Sequence, residues 1–111
     1  MVNSRVFGAN VETDKFTCFY CKRSIDDYSR TVDHLIPESR GGIKARANKV
    51  YCCRECNGLK DNMTPEEFHE HLGRLIRMLV SSHKRQIYHL KKVRLNTASI
   101  VSSRVIDSRK G

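Results

Sequence analysis

Four of the five cysteines fall into two Cys-x-x-Cys pairs, Cys18 with Cys21 and Cys53 with Cys56, a spacing that suits a tetrahedral zinc ion. A closed set of four thiolates leaves no open coordination position, so the predicted site is structural. Cys52 has Glu55, not a thiol, three residues further on and reads as an inward-facing or spare strand residue. Between the pairs stands TVDHLIPESRGG, residues 31–42, where Asp33 and His34 interrupt an apolar stretch. Burying ionisable groups beside Val and Leu is unfavourable unless they are paired or ligate a metal, so this pair demands a chemical explanation.

The order Cys18-x-x-Cys21, Asp33-His34-x-x-Pro37, Gly41-Gly42, Asn48 and then Cys53-x-x-Cys56-Asn57-x-x-Lys60 resembles the zinc-containing HNH endonucleases over roughly residues 16–70. That resemblance implies a ββα-metal site bracketed by the two cysteine pairs, and cleavage of DNA that leaves 5′-phosphate ends. It gives Asn48 the middle motif position, which ties the loop and helps orient the general base without touching the metal. Asn57 stands where the family often has His, and that departure favours a hard cation over nickel or zinc.

The residue types suit such chemistry in their own right. Hydrolysing a phosphodiester takes an activated water, a cation to offset charge on the phosphate, and positioned donors. His34 is the natural general base, because an imidazole can be neutral near pH 7. Asp33 is a hard oxygen ligand for Mg²⁺ or Mn²⁺, and Asn57 offers a second oxygen. Two protein ligands suit magnesium, which keeps much of its hydration shell. Lys60, one turn beyond Asn57, and Arg40 in the loop are expected to contact nucleic-acid phosphates.

The elements that must position these residues follow from the pattern. FTCFYCKRS reads as a knuckle between short β-prone segments, RTVDHLIP as a strand ended by Pro37, ESRGGIKARAN as a polar loop, KVYCC as a second strand and RECNGLKDNM as a short helix. Side chains alternate across a strand, so Asp33 and His34 serve one site only if the first strand ends or bulges there. Thr64-Pro65-Glu66-Glu67 carries a capping box with proline at the first helical position and predicts a helix start. Phe68, Leu72, Leu75, Ile76, Leu79 and Val80 repeat at helical spacing, and Ile87, Leu90 and Val93 continue such a stripe after a break at Ser81-Ser82. From Asn96 onward no core pattern is legible. His69, His71, His83 and His89 read as surface residues.

The expected fold is α+β, a small zinc-stabilised ββα-metal (HNH or treble-clef-like) core followed by C-terminal helices. Residues 1–15 read as an N-terminal arm, 16–73 as the metal-containing domain and 74–111 as a basic helical extension with a flexible tail. Zinc would supply folding free energy to a chain of 111 residues that is 39% hydrophobic and lacks Trp. The formal charge of +9 resides in the last third: residues 74–111 carry ten Lys and Arg against Asp107 alone, while residues 1–73 balance. Such a segment suits a polyanion and predicts salt-sensitive binding. No leader or membrane-length apolar run is visible, and clustered thiols suit a reducing compartment, so a cytoplasmic location is expected.

The function these features favour is a metal-dependent endonuclease acting on DNA. Its catalytic set is His34, Asp33, Asn48 and Asn57. RNA is left open by charge alone, as is a homodimer or larger nuclease assembly; no membrane partner is expected. One alternative is a non-catalytic zinc-knuckle nucleic-acid-binding module, which needs none of Asp33, His34 and Asn57. A third reading, a subunit recruited by a partner protein, would show exposed apolar surface at Ile87 and Val93.

Overall fold

In the computed structural model, which describes residues 14–110 and the side chains of 14–102, strand β1 spans Arg30–His34 and pairs antiparallel with β2, Lys49–Cys53. Arg30 lies opposite Cys53 and His34 opposite Lys49, so the ladder ends at His34. Helix α1, Arg54–Lys60, follows β2 with no intervening loop. Its entry is built by Cys53, whose sulfur accepts from the Cys56 N–H and caps the first turn. Strand, strand and helix form a small α+β unit, as the pattern predicts.

The described residues divide after Thr64 into two units. In the first, the buried apolar side chains comprise five cysteines, Tyr20 and only three aliphatics, Ile25, Leu35 and Val50. Three aliphatic side chains at about 1.5–3 kcal/mol each are a weak driving force for a unit of this size. The cysteine cluster must therefore contribute. The first knuckle is a tight turn closed by a single Thr17↔Ser24 bridge rather than by strands, with Lys22 at φ 65°.

Between β1 and β2 the chain makes a loop with 3₁₀ turns at Glu38–Arg40 and Arg46–Asn48. β1 stops three residues short of Pro37 because a side chain takes over its pairing. Leu35 N–H still donates to the Asn48 carbonyl at 2.8 Å. Beyond it, Ile36 N–H donates to Asn48 Oδ1, and Asn48 Nδ2 donates to the carbonyls of Ile36 and Ile43. Gly41 closes the first turn at φ 94°, and a Cβ on Gly42 would lie 1.7 Å from the Ile36 carbonyl oxygen. The loop thus needs both glycines, each for its own reason.

The second unit holds α2, Pro65–Met78, and α3, Lys84–Lys110, joined through a 3₁₀ turn at Ser81–His83. The helix start at Pro65 and the break at Ser81 are as predicted. Phe68 and Leu72 are fully buried, but Val80 is exposed, so the α2 stripe is narrower than its spacing suggests. α3 also departs from expectation, because it continues through the segment where a flexible tail was predicted. Leu90, Val93, Thr97 and Ile100 are all buried at intervals of three and four, and the polar Thr97 conceals that periodicity in the sequence. Val93 is buried and carries no exposed apolar patch; Tyr88 and Leu95 are the exposed large apolar residues of α3 among the described ones.

His69, expected at the surface, is half-buried between α2 and α3. Thr97 gives its hydroxyl hydrogen to the Arg94 carbonyl and meets His69 Nδ1 at 3.0 Å. No helix among the described residues is long and apolar enough to cross a membrane. Of the N-terminal arm expected over residues 1–15, the first thirteen lie outside the described residues.

Candidate functional site

Cys18, Cys21, Cys53 and Cys56 are all buried, and their sulfurs lie within 4.8 Å of one another. Zinc with Zn–S bonds of about 2.3 Å sets its sulfurs about 3.8 Å apart, so the cluster could close on one ion with little movement. The Cys21 N–H points at Cys18 Sγ and the Cys56 N–H at Cys53 Sγ, each at 3.4 Å, and such donors stabilise thiolates. The hydrogen bond from Cys56 pulls the Cys18 thiol down to about 4, and the same shared proton, with burial, pushes Cys56 far up. Burial raises Cys21 to about 11. Cys21 and Cys56 thus resist ionising unaided, and a divalent cation would offset the charge of their thiolates. Cys52 faces elsewhere: it meets the Thr31 hydroxyl at 3.4 Å, and burial raises its thiol to about 12.

Asp33 is buried, and two donors meet one of its oxygens. The Tyr20 hydroxyl donates to Oδ2 at 2.5 Å and the Lys60 ammonium lies 2.9 Å from the same atom. Burial and then the Asp33 charge hold the Tyr20 phenol well above its ordinary range, so it remains a donor. Lys60 Nζ also donates to the His34 carbonyl at 2.9 Å. Lys60 was expected to reach a phosphate. Instead its side chain is fully buried, because only a cation at that place offsets the charge of Asp33 inside the unit.

His34 is the last residue of β1, and its position at the strand end removes the difficulty of alternation. An open depression of about 370 Å³ is lined by Asp33 and His34 from β1, Glu38 from the following turn, Asn57 from α1 and Asp61 just beyond it. His34 Nε2 lies 3.4 Å from Glu38 Oε2, within ion-pair range but without hydrogen-bond alignment. Asn57 is half-buried, and its carbonyl accepts from the N–H of Asp61, which adopts φ 50° to end the helix. Asn48 does not line the depression. It is buried at the base of the loop, tying Ile36 to Ile43 as described above. Arg40 is exposed on the turn after Glu38, with Nη1 3.4 Å from the Asn62 carbonyl.

Asp33, His34 and Asn57 are therefore brought together, Asn48 is set behind them, and Lys60 is turned inward. The oxygen donors on the depression, the carboxylates of Asp33, Glu38 and Asp61 and the amide of Asn57, are hard ligands of the kind that fits Mg²⁺ or Mn²⁺. Sequence reasoning missed Tyr20, Glu38 and Asp61. Glu38 stands four residues after His34, a spacing that carries meaning only once a turn is known to follow the strand. Tyr20 carries no sequence signal, being one of two aromatics inside the first knuckle.

A family model described as HNH endonuclease matches residues 18–73, just over half of the chain. No curated protein matches the chain. Among solved structures it is similar to the crystal structure of the Type II-C Cas9 enzyme from Actinomyces naeslundii, at 21% identity and a TM-score of 0.48. That similarity covers 85% of this chain but 11% of the Cas9 chain, and it adds nothing to the family match.

Proposed function

Because this chain belongs to the HNH endonuclease family, we propose that it is a metal-dependent endonuclease that hydrolyses DNA phosphodiester bonds. The observation that carries this reading is the meeting of Asp33, His34 and Asn57 on one open depression, in the same unit as a four-cysteine cluster.

In this reading His34 accepts the proton of the water that attacks phosphorus, and the P–O3′ bond breaks to leave a 5′-phosphate and a 3′-oxygen that takes its proton from solvent. Asp33 and Asn57 hold a divalent cation, Mg²⁺ or Mn²⁺, which when bound supplies charge stabilisation at the phosphate. Asn48 keeps His34 in place indirectly, by fixing the backbone from Leu35 to Ile43. Glu38 faces the imidazole, with its Oε2 3.4 Å from Nε2. Arg40 meets the phosphate backbone from the rim. The nuclease core spans residues 16–73, and the basic residues of 74–111 add sequence-independent grip on the polyanion.

The test is nicking of supercoiled plasmid by zinc-loaded protein with Mg²⁺, with Mn²⁺ and without added divalent cation, beside His34→Ala. Metal-dependent nicking is expected from the wild type. His34→Ala, with its zinc content intact, should lose about two to four orders of magnitude in rate. If the wild type cuts under none of these conditions yet binds DNA in a salt-sensitive way, the chain is a zinc-knuckle binding module. Cutting by His34→Ala at the wild-type rate would remove His34 from the chemistry.

A further inference from the structure

The two donors on Asp33 have a consequence for the cation. A carboxylate can bind a metal through one oxygen or through both, and the choice bears on which metal it suits: Ca²⁺ takes six to eight oxygens and accepts bidentate carboxylates, whereas Mg²⁺ demands a tight octahedron. Oδ2 of Asp33 already receives the Tyr20 hydroxyl at 2.5 Å and the Lys60 ammonium at 2.9 Å. Its lone pairs are used, and a cation approaching Oδ2 would meet the buried positive charge of Lys60. Oδ1 has no protein partner among the described residues and is the oxygen left for a ligand bond.

Tyr20 is fully buried and sits inside the Cys18–Cys21 knuckle, with the Phe19 ring edge-on at 5.2 Å. Its hydroxyl is therefore delivered to Asp33 by the backbone that also presents two of the zinc ligands. Lys60 reaches the same oxygen from the last residue of α1.

Resting on the cation site proposed above, we propose that Tyr20 is a positioning residue that, with Lys60, pins Oδ2 of Asp33, limits the carboxylate to one metal bond and thereby selects small octahedral cations over Ca²⁺. Tyr20 is fully buried and acts on the cation through Asp33.

The experiment measures Mn²⁺ binding to the zinc-loaded full chain by electron paramagnetic resonance, with Ca²⁺ as competitor, for wild type, Tyr20→Phe and Phe19→Leu. Tyr20→Phe removes one hydroxyl and keeps the ring in the core, and its zinc content reports that the knuckle is intact. Loss of the hydroxyl frees one of the two occupied lone pairs of Oδ2 while Lys60 keeps the other, so the carboxylate gains a second oxygen for Ca²⁺. Ca²⁺ should then improve relative to Mn²⁺ by up to about tenfold, the size of one hydrogen bond to a charged group. Phe19→Leu, which keeps the hydroxyl, should leave the ratio at its wild-type value. A ratio unchanged in Tyr20→Phe overturns the inference, and so does an equal shift in both variants, which would mark a general disturbance of the knuckle. Absence of Mn²⁺ binding by the wild type overturns the cation site itself, a failure distinct from an unchanged ratio.

Discussion

The Lys60 ammonium and the Asp33 carboxylate form an ion pair of 2.9 Å whose side chains are 0% and 7% exposed. Removing one partner of a buried pair leaves an uncompensated charge, at a cost of about 3–5 kcal/mol. Lys60→Met should therefore shift urea unfolding by a large fraction of the total stability. Arg40→Ala should leave unfolding unchanged while weakening DNA binding and reducing its salt slope by about one. A Lys60→Met protein as stable as the wild type, with DNA affinity alone reduced, would restore the phosphate role that its sequence position suggests.

The cysteines should separate sharply in metal analysis. Ser at Cys18 or Cys56 removes a ligand from the cluster and should give protein that loses zinc and unfolds, since structural zinc contributes about 10–16 kcal/mol in small zinc-folded peptides. Cys52→Ala keeps the cluster intact and should retain one zinc per chain. Zinc stoichiometry by atomic emission, read together with circular dichroism after chelation, distinguishes the two classes.

The loop behind His34 depends on contacts rather than on flexibility. Asn48→Ala leaves the Ile36 N–H and the Ile36 and Ile43 carbonyls without their partner, and one such loss costs about 1–3 kcal/mol. Gly42→Ala drives a Cβ into the Ile36 carbonyl, whereas Gly41→Ala meets open space and carries only the strain of φ 94°. Thermal unfolding should rank Gly42→Ala as more harmful than Gly41→Ala. Both should cut nicking activity more than they cut DNA affinity, because the loop positions His34 and supplies only Arg40 to a phosphate grip that rests mainly on the basic residues of 74–111. Equal midpoints for the two glycine variants would mean that the close approach at Gly42 relaxes freely.

His69 makes the second unit sensitive to acid. Burial, and then the Arg94 guanidinium, lower its affinity for a proton, while a hydrogen bond with the Arg94 backbone and then the Glu70 charge oppose them without reversing the shift. The unfolded chain therefore binds that proton more readily than the folded one, so the contribution is whole above about pH 6.5 and lost as the pH falls below it. His69→Gln should flatten the decline of the thermal midpoint between about pH 7 and pH 5. An identical decline in wild type and variant would assign the acid sensitivity to other groups.

The sequence by itself determined the local devices of this protein. Two Cys-x-x-Cys pairs, a proline-started helix, β2 at KVYCC and the short helix after it are all legible, because each depends on residues within a few positions of one another. The family is legible for the same reason, since its motif is a fixed order of local signatures. Tertiary structure decided how the groups face. Lys60 looks like a solvated helical lysine until Asp33 is placed beside it, 27 positions earlier in the chain, and the charge of that buried carboxylate turns the lysine inward. Thr97 and His69 look like surface residues until α2 and α3 pack and each satisfies the other's polar group. Tyr20 gains its role only when the first knuckle folds against β1. In each case the deciding term is the cost of burying a charge or a polar group without a partner, and that cost exists only after distant segments have met.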